Sequence, residues 1–149
     1  MTATQNDAVK EIMAREVALM EAKNHPDFVK NPRRILEFYD TEAVRLFDLH
    51  KMVLNGSEVG DMFAEVSPTF IGAATIHQVK AEAEGNIAFS SLIEKYVGHL
   101  RDSDEAVTLV FRMTHGWKKI DGKWLIVHEH WSFPVDEGTG QARIADPLP

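Results

Sequence analysis

The segment Val107-Thr-Leu-Val-Phe-Arg-Met-Thr-His-Gly-Trp-Lys-Lys-Ile-Asp-Gly-Lys-Trp-Leu-Ile-Val-His-Glu-His-Trp-Ser-Phe133 decides the fold. Two runs rich in β-branched and aromatic residues flank Asp121-Gly122, a dipeptide that favours the tight turn of a β-hairpin. The segment therefore predicts a long antiparallel hairpin with strands at Ala106–Lys119 and Lys123–Phe133.

The segments before this hairpin predict two more long strands and, earlier, helices. The strands are Phe70–Ala83 and Ile87–Leu100, joined by the turn Glu84-Gly85-Asn86. Upstream, the pattern predicts a helix capped by Asp7 and stopped at Asn24-His25-Pro26, a short helix from Pro32 to Tyr39, a strand at Ala43–Leu49, and a helix between Gly56-Ser57 and Ser67-Pro68.

Helices followed by a four-strand meander predict an α+β domain. We expect a curved antiparallel sheet that wraps around three N-terminal helices and leaves a ligand-sized hollow at its open end; a packed sandwich without a pocket is the alternative. One domain is expected over residues 1–149, with a core at about 7–134 and an extended tail at 135–149.

Composition excludes several classes of site. The absence of cysteine excludes disulfides, thiolate nucleophiles, iron–sulfur clusters and cysteine zinc sites. A formal charge of −7 argues against a nucleic-acid surface. No apolar run suits a membrane span or a signal peptide, so a cytoplasmic protein is expected. No Gly-rich phosphate loop or nucleophile elbow occurs, and no cofactor is expected.

The hairpin resembles that of nuclear-transport-factor-2-like proteins, nearest to the SnoaL-like branch and to the association domain of calcium/calmodulin-dependent kinase. The resemblance depends on Trp117, Asp121-Gly122-Lys123-Trp124, Val127-His-x-His130 and Ser132. It implies a cone-shaped, cystatin-like roll and usually a homodimer that packs sheet against sheet. It does not imply one activity, because the superfamily includes isomerases, dehydratases, cyclases, epoxide hydrolases, lyases and non-catalytic adaptors.

The resemblance also suggests which strand face lines the pocket, since alternation alone leaves both faces possible. The ligand-facing basic positions of the kinase association domain align with Ser91, His115 and Trp131. We therefore assign the pocket face to the odd-numbered set Phe89, Ser91, Ile93, Met113, His115, Glu129 and Trp131. The arginines of that domain are missing here, which argues against a small carboxylate ligand.

Glu16 is the most unusual residue of the first helix. It falls within the apolar stripe that includes Ile12, Met13 and Met20. A carboxylate there must be paired or neutralised, and either state suits a general acid or base. The alternative is a glutamate at the helix edge that reaches water or a basic neighbour.

Asp48 and His50 are expected near the mouth of the cone, at the end of the first strand. Asp48 matches the general base of ketosteroid isomerase with a one-residue shift, and His50 can orient it. The alternative is a solvated aspartate. Ketosteroid isomerisation itself is not expected, because Glu16 replaces one oxyanion-hole donor and Met113 or His115 stands where the other is expected.

Histidines, a tyrosine and tryptophans complete the candidates. His115, partnered by Glu129 or Glu16, suits a general base near neutral pH, and Tyr39 can donate to a substrate oxygen. Trp117, Trp131 and Phe89 are candidates for an aromatic-ligand pocket, whereas Trp124 is expected in the core. His128 and His130 lack further ligands for a metal, so hydrogen bonding within the fold or a place at a dimer interface is favoured.

These residues predict a cofactor-independent acid–base enzyme, a lyase, isomerase or dehydratase, that acts on a small, largely apolar, aromatic or polycyclic molecule. The alternative is a non-catalytic ligand-binding or oligomerisation module. No nucleic-acid or membrane partner is expected.

Overall fold

A computed structural model describes residues 3–149. Helix α1 spans Ala3–Asn24, two 3₁₀ helices follow at Pro26–Phe28 and Pro32–Phe38, and α2 spans Ser57–Val66. The strands are β1 (Arg45–Phe47), β2 (Leu54–Asn55), β3 (Phe70–Glu84), β4 (Ile87–Leu100), β5 (Ala106–Ile120) and β6 (Lys123–Ser132). Among the described residues, no helix is long and apolar enough to cross a membrane.

The six strands form one sheet in the order β2-β1-β6-β5-β4-β3. All neighbours are antiparallel except β1 and β6, which run parallel. The predicted α+β layout and the predicted meander of four long strands are therefore confirmed. The hairpin of β5 and β6 lies in the middle of the sheet, where it carries short β1 on one side and β4 on the other.

Two local predictions were wrong. Asp7 does not cap α1, because the helix begins at Ala3 and Asp7 lies inside it. The first strand is confined to Arg45–Phe47, and β2 is an additional two-residue strand that pairs with it. The predicted short helix that begins at Pro32 is confirmed, and it is a 3₁₀ helix over Pro32–Phe38. Short elements of this kind depend on tertiary contacts more than on sequence pattern.

The main core lies between the helices and the inner face of the sheet at the closed end of the cone. Ile12 and Leu19 of α1 pack there against Trp117, Trp124 and Ile126 of the hairpin. A smaller cluster of Leu92, Phe111 and Met113 lies further along the strands, towards the open end.

Two β-bulges interrupt the regular alternation. In β3 the pairing shifts between His77 and Lys80, where Gln78 adopts a positive φ of 52°. In the hairpin, Gly116 pairs with His128 but Trp117 pairs with Ile126, so Val127 has no partner across the ladder. A bulge bends its strand and increases the local twist, which curves the sheet around the helices.

The segment after β6 returns to the sheet. Val135 bridges to Ala142, the Ile144 carbonyl accepts a 2.7 Å hydrogen bond from the Val110 N–H, and the Pro149 carbonyl accepts one of 2.8 Å from the Gln78 side chain. Residues 144–149 thus extend from β5 to β3 on the described structure.

Gly72 and Gly98 form a cross-strand pair beneath Tyr96, whose ring faces the open end of the cone. A Cβ at position 98 would lie 2.7 Å from the Tyr96 hydroxyl and 2.8 Å from Gly72 Cα. We expect Gly98→Ala to lower the free energy of unfolding in urea by about 1–3 kcal/mol, as overpacking usually does. Gly138→Ala is the matched control, since its Cβ would lie 3.4 Å from the nearest atom. Equal stability of the two variants would contradict this account.

Candidate functional site

A cavity of about 740 Å³ opens between the end of α1, α2, the loop after β1 and the open half of the sheet. Its walls carry six aromatic rings: Phe28, Phe63, Phe70, Tyr96, Phe111 and Trp131. Small-molecule sites typically combine apolar walls of this kind with a few polar groups. Two sets among its polar residues are candidates for binding or chemistry, one on the rim and one deep in the wall.

The deep polar set is an ion pair. Lys23, in the last turn of α1, places its ammonium 2.9 Å from the Glu94 carboxylate of β4, and the two side chains are 10% and 7% exposed. The Lys23 ammonium also lies 5.6 Å from the centre of the Trp131 ring. Burial lowers the pKa of Lys23, but the carboxylates of Glu94 and Glu129 outweigh this effect and raise it, so the ammonium stays charged.

Behind this wall lies a fully buried ionic network. His115 Nδ1 is 2.8 Å from Glu16 Oε1, and His115 Nε2 is 3.6 Å from Glu129 Oε1, which is an electrostatic contact longer than a hydrogen bond. All three side chains are 1% exposed or less. The Trp131 indole donates to Glu129 and therefore connects the network to the cavity.

The network holds His115 as an imidazolium. Burial alone would lower the pKa of His115, but the Glu16 and Glu129 carboxylates raise it to about 10. Burial likewise opposes ionisation of Glu129, yet His115 and Lys23 lower the pKa of this carboxyl to about 2. Both groups are therefore charged at neutral pH.

Tyr39 and Ser90 extend the network. Burial, followed by the charge of Glu129, raises the pKa of Tyr39 well above its ordinary value, so its hydroxyl stays protonated. This hydroxyl lies near enough to Glu129 to lower the carboxyl pKa, without the geometry of a hydrogen bond. Ser90 donates to Glu16 and accepts a 2.8 Å hydrogen bond from the Trp117 indole.

The rim set consists of Asp48 and His50, in the loop after β1. Asp48 Oδ2 accepts hydrogen bonds of 2.9 and 3.0 Å from the backbone N–H groups of His50 and Lys51. The backbone N–H of His50, and not its imidazole ring, is thus the group that binds the Asp48 carboxylate. The sequence-based expectation that the His50 ring orients Asp48 was wrong.

The structure brings some predicted residues together and separates others. Glu16, His115, Glu129 and Tyr39 meet in the buried network; Asp48, His50 and Trp131 line the cavity; Met113 and Trp117 are buried in the core clusters. The network and the rim set are thus distinct groups.

The face assigned to β4 was wrong. Ser90 pairs with His115 and Leu92 with Met113, so the even-numbered residues of β4 face inwards. Phe89, Ser91 and Ile93 consequently lie on the outer face, and Phe89 is 47% exposed.

Sequence reasoning missed Lys23 and Glu94. Lys23 follows Glu16 by seven residues and so lies on the same helix face, a signal that was available. Glu94 shares its parity with Ser90 and could be found only once the face of β4 was known.

His128 and His130 point away from the helices, towards β1. The Phe47 ring packs edge-on against both imidazoles, at centroid distances of 5.0 and 5.6 Å. Gly116 makes room for this arrangement, since a Cβ there would lie 3.2 Å from His128 Cβ.

A second hollow, of about 440 Å³, lies at the opposite end of the molecule beside Glu11, Lys119 and Trp124. Glu11 accepts hydrogen bonds of 2.6 Å from Lys119 and 2.7 Å from the Trp124 indole. The polar groups of Glu11, Lys119 and Trp124 therefore bind one another, which makes this hollow a weaker candidate site than the cavity.

The raised pKa of His115 predicts a pH-dependent stability. The imidazolium contributes fully below its ordinary pKa of 6.5, and this contribution is lost as the pH rises towards the folded value of about 10. We expect the wild-type free energy of unfolding, measured in urea, to fall across this range. His115→Gln should be about 3–5 kcal/mol less stable near pH 6 and show a smaller fall.

His50→Gln is the matched control, because this side chain is exposed on the rim, and it should keep wild-type stability near pH 6. Parallel pH profiles for wild type and His115→Gln would contradict the prediction. In the wild type, the ¹³Cε1 chemical shift of His115 should remain that of an imidazolium at neutral pH.

Comparison with known proteins places this geometry in a family. The SnoaL-like domain family matches residues 58–136, and no curated protein matches the chain. Similar solved structures include a nuclear-transport-factor-2-like protein of unknown function from Pseudomonas putida, 22% identical over 97% of this chain and 98% of that one, with a TM-score of 0.78.

Two other structures share the fold. The association domain of calcium/calmodulin-dependent kinase II from Caenorhabditis elegans is 18% identical over 88% of this chain and 99% of that one, with a TM-score of 0.68. A ketosteroid isomerase-like protein from Erwinia carotovora atroseptica is 17% identical over 85% and 96%, with a TM-score of 0.70. The chain belongs to the SnoaL-like domain family and has the nuclear-transport-factor-2-like fold.

Proposed function

We propose that the chain binds a small, largely apolar and aromatic molecule in its cavity and acts on it as a cofactor-independent acid–base enzyme, a lyase, isomerase or dehydratase. The observation that carries this proposal is the open cavity of about 740 Å³, walled by aromatic rings and bordered by carboxylates. Its size suits a two- or three-ring ligand. The fold shared with a ketosteroid isomerase-like protein supports proton transfer as the reaction class.

Asp48 is the proposed acid–base group, because it lines the cavity and is held by two backbone N–H groups. His115 is not assigned the role of general base, since its raised pKa keeps it protonated at neutral pH. Glu16, His115 and Tyr39 are instead proposed to position the cavity wall, through Glu129 and the Trp131 indole.

Proton abstraction can be tested before the natural substrate is known. We expect the protein to catalyse exchange of the methyl protons of 2-acetonaphthone with D₂O, followed by ¹H NMR. Asp48→Asn should lower the catalysed rate about 10²-fold or more, because general-base catalysis typically contributes 10²–10⁴-fold. Glu65→Gln, another carboxylate on the cavity, is the control and should retain the rate. Binding of the ketone without catalysed exchange would contradict the enzyme proposal and favour a binding module.

A second candidate function is self-association, with the fold as an oligomerisation module. The outer face of β4 exposes three large apolar side chains, Ile87, Phe89 and Val97, at 47–58% of their surface. The kinase association domain shares the fold. A homodimer that packs sheet against sheet would bury this apolar surface.

Light scattering after size-exclusion chromatography tests this candidate. We expect the wild type to elute as a dimer and Phe89→Asp to shift to a monomer, because a carboxylate would be buried unpaired in the interface. Val17→Asp, a matched change at an exposed apolar residue of α1, should leave the dimer intact. A monomeric wild type would rule out the sheet-to-sheet dimer.

A further inference from the structure

We propose that Lys23 and Glu94 select the chemical class of the ligand: a neutral aromatic molecule with a carbonyl or hydroxyl oxygen at its inner end is preferred over the corresponding carboxylate. The inference rests on the ligand binding proposed above and specifies the polar recognition within the same cavity.

The geometry places a hydrogen-bond donor and an acceptor side by side on an otherwise aromatic wall. Both side chains line the cavity, and each keeps a small exposed fraction, 10% for Lys23 and 7% for Glu94. An ammonium has three N–H donors, and Glu94 accepts one of them. A carbonyl oxygen can accept from the ammonium, and a hydroxyl can in addition donate to the carboxylate.

The charges around this pair argue against an anionic ligand. Behind it lie Glu16, Glu129 and His115, so this part of the molecule contains three carboxyl groups and two basic groups. An incoming carboxylate would add a negative charge beside Glu94 and compete with it for Lys23. A neutral oxygen binds the ammonium without adding charge, and the Lys23–Glu94 pair stays intact.

The aromatic neighbours favour a flat ligand that reaches this pair. Phe111 stacks on Trp131 at a centroid distance of 5.8 Å and an interplanar angle of 10°, and Phe63 packs edge-on against Trp131 at 6.0 Å. Lys23 lies over the same indole. A fused aromatic ring along this wall would bring its polar substituent to Lys23.

Three probes with the same ring system test the inference by isothermal titration calorimetry: 2-acetonaphthone, 2-naphthoate and 2-ethylnaphthalene. For the wild type we expect the ketone to bind about ten-fold or more tightly than the carboxylate. This comparison requires no variant, so it does not depend on whether a substituted protein folds.

Two variants and a control assign the effect to the pair. Lys23→Met should weaken ketone binding about ten-fold while leaving 2-ethylnaphthalene unchanged. Glu94→Gln should reduce the difference in affinity between the ketone and the carboxylate, because it removes a negative charge from the site. Lys10→Met, at an exposed lysine of α1 that does not line the cavity, should leave all three affinities unchanged.

The outcomes separate this inference from the proposed function. If 2-naphthoate binds as tightly as the ketone, or if Lys23→Met lowers the affinity for all three probes equally, the proposed selectivity of Lys23 and Glu94 is wrong. The proposal that the cavity binds a ligand would still stand. If none of the probes binds the wild type, both proposals fail.

Discussion

The buried imidazolium of His115 between two carboxylates is the constraint on which the rest of the structure depends. It joins Glu16 on α1 to Glu129 on β6, across the interior of the cone. A charge in such a place is tolerated only when it is paired, because removal of one partner leaves the others uncompensated. The helix therefore has one rotation and one depth relative to the sheet, and this placement sets the position of Lys23 two turns later.

The network and the cavity are one electrostatic unit rather than two separate sites. Trp131 donates to Glu129 while its ring lines the cavity, and Lys23 contributes both to the pKa of Glu129 and to the ion pair with Glu94. The charge of Lys23 at the cavity wall is thus stabilised in part by buried carboxylates that a ligand would not contact. Glu16 and His115, which the sequence suggested as acid–base groups, therefore lie away from the surface that a substrate would contact.

Strong local patterns made much of the fold predictable. The bounds of β4 were predicted to the residue, the Asp121-Gly122 turn fixed the hairpin, and Glu16 was recognised because a carboxylate interrupts an apolar stripe. The inner face of β4 was not predictable, because both of its faces mix polar and apolar residues. In β6, the unpaired Val127 places Trp124 and Ile126 on the same face as Glu129 and Trp131, which no regular alternation predicts. Glu94 was missed because it lies on the face of β4 that was assigned to the outside, whereas Lys23 could have been recognised on the same helix face as Glu16.

The bulge at Val127 also lies at the inner end of the cavity. On one side of it Trp117, Trp124 and Ile126 fill the closed end of the cone, and on the other side Phe111 and Trp131 border empty space. The boundary between filled and hollow halves thus coincides with an irregularity of the backbone. Substitution of side chains can widen or narrow the cavity, but its depth depends on the register of the strands. Relatives with a differently placed bulge would therefore accommodate ligands of a different length, even with identical side chains on the cavity walls.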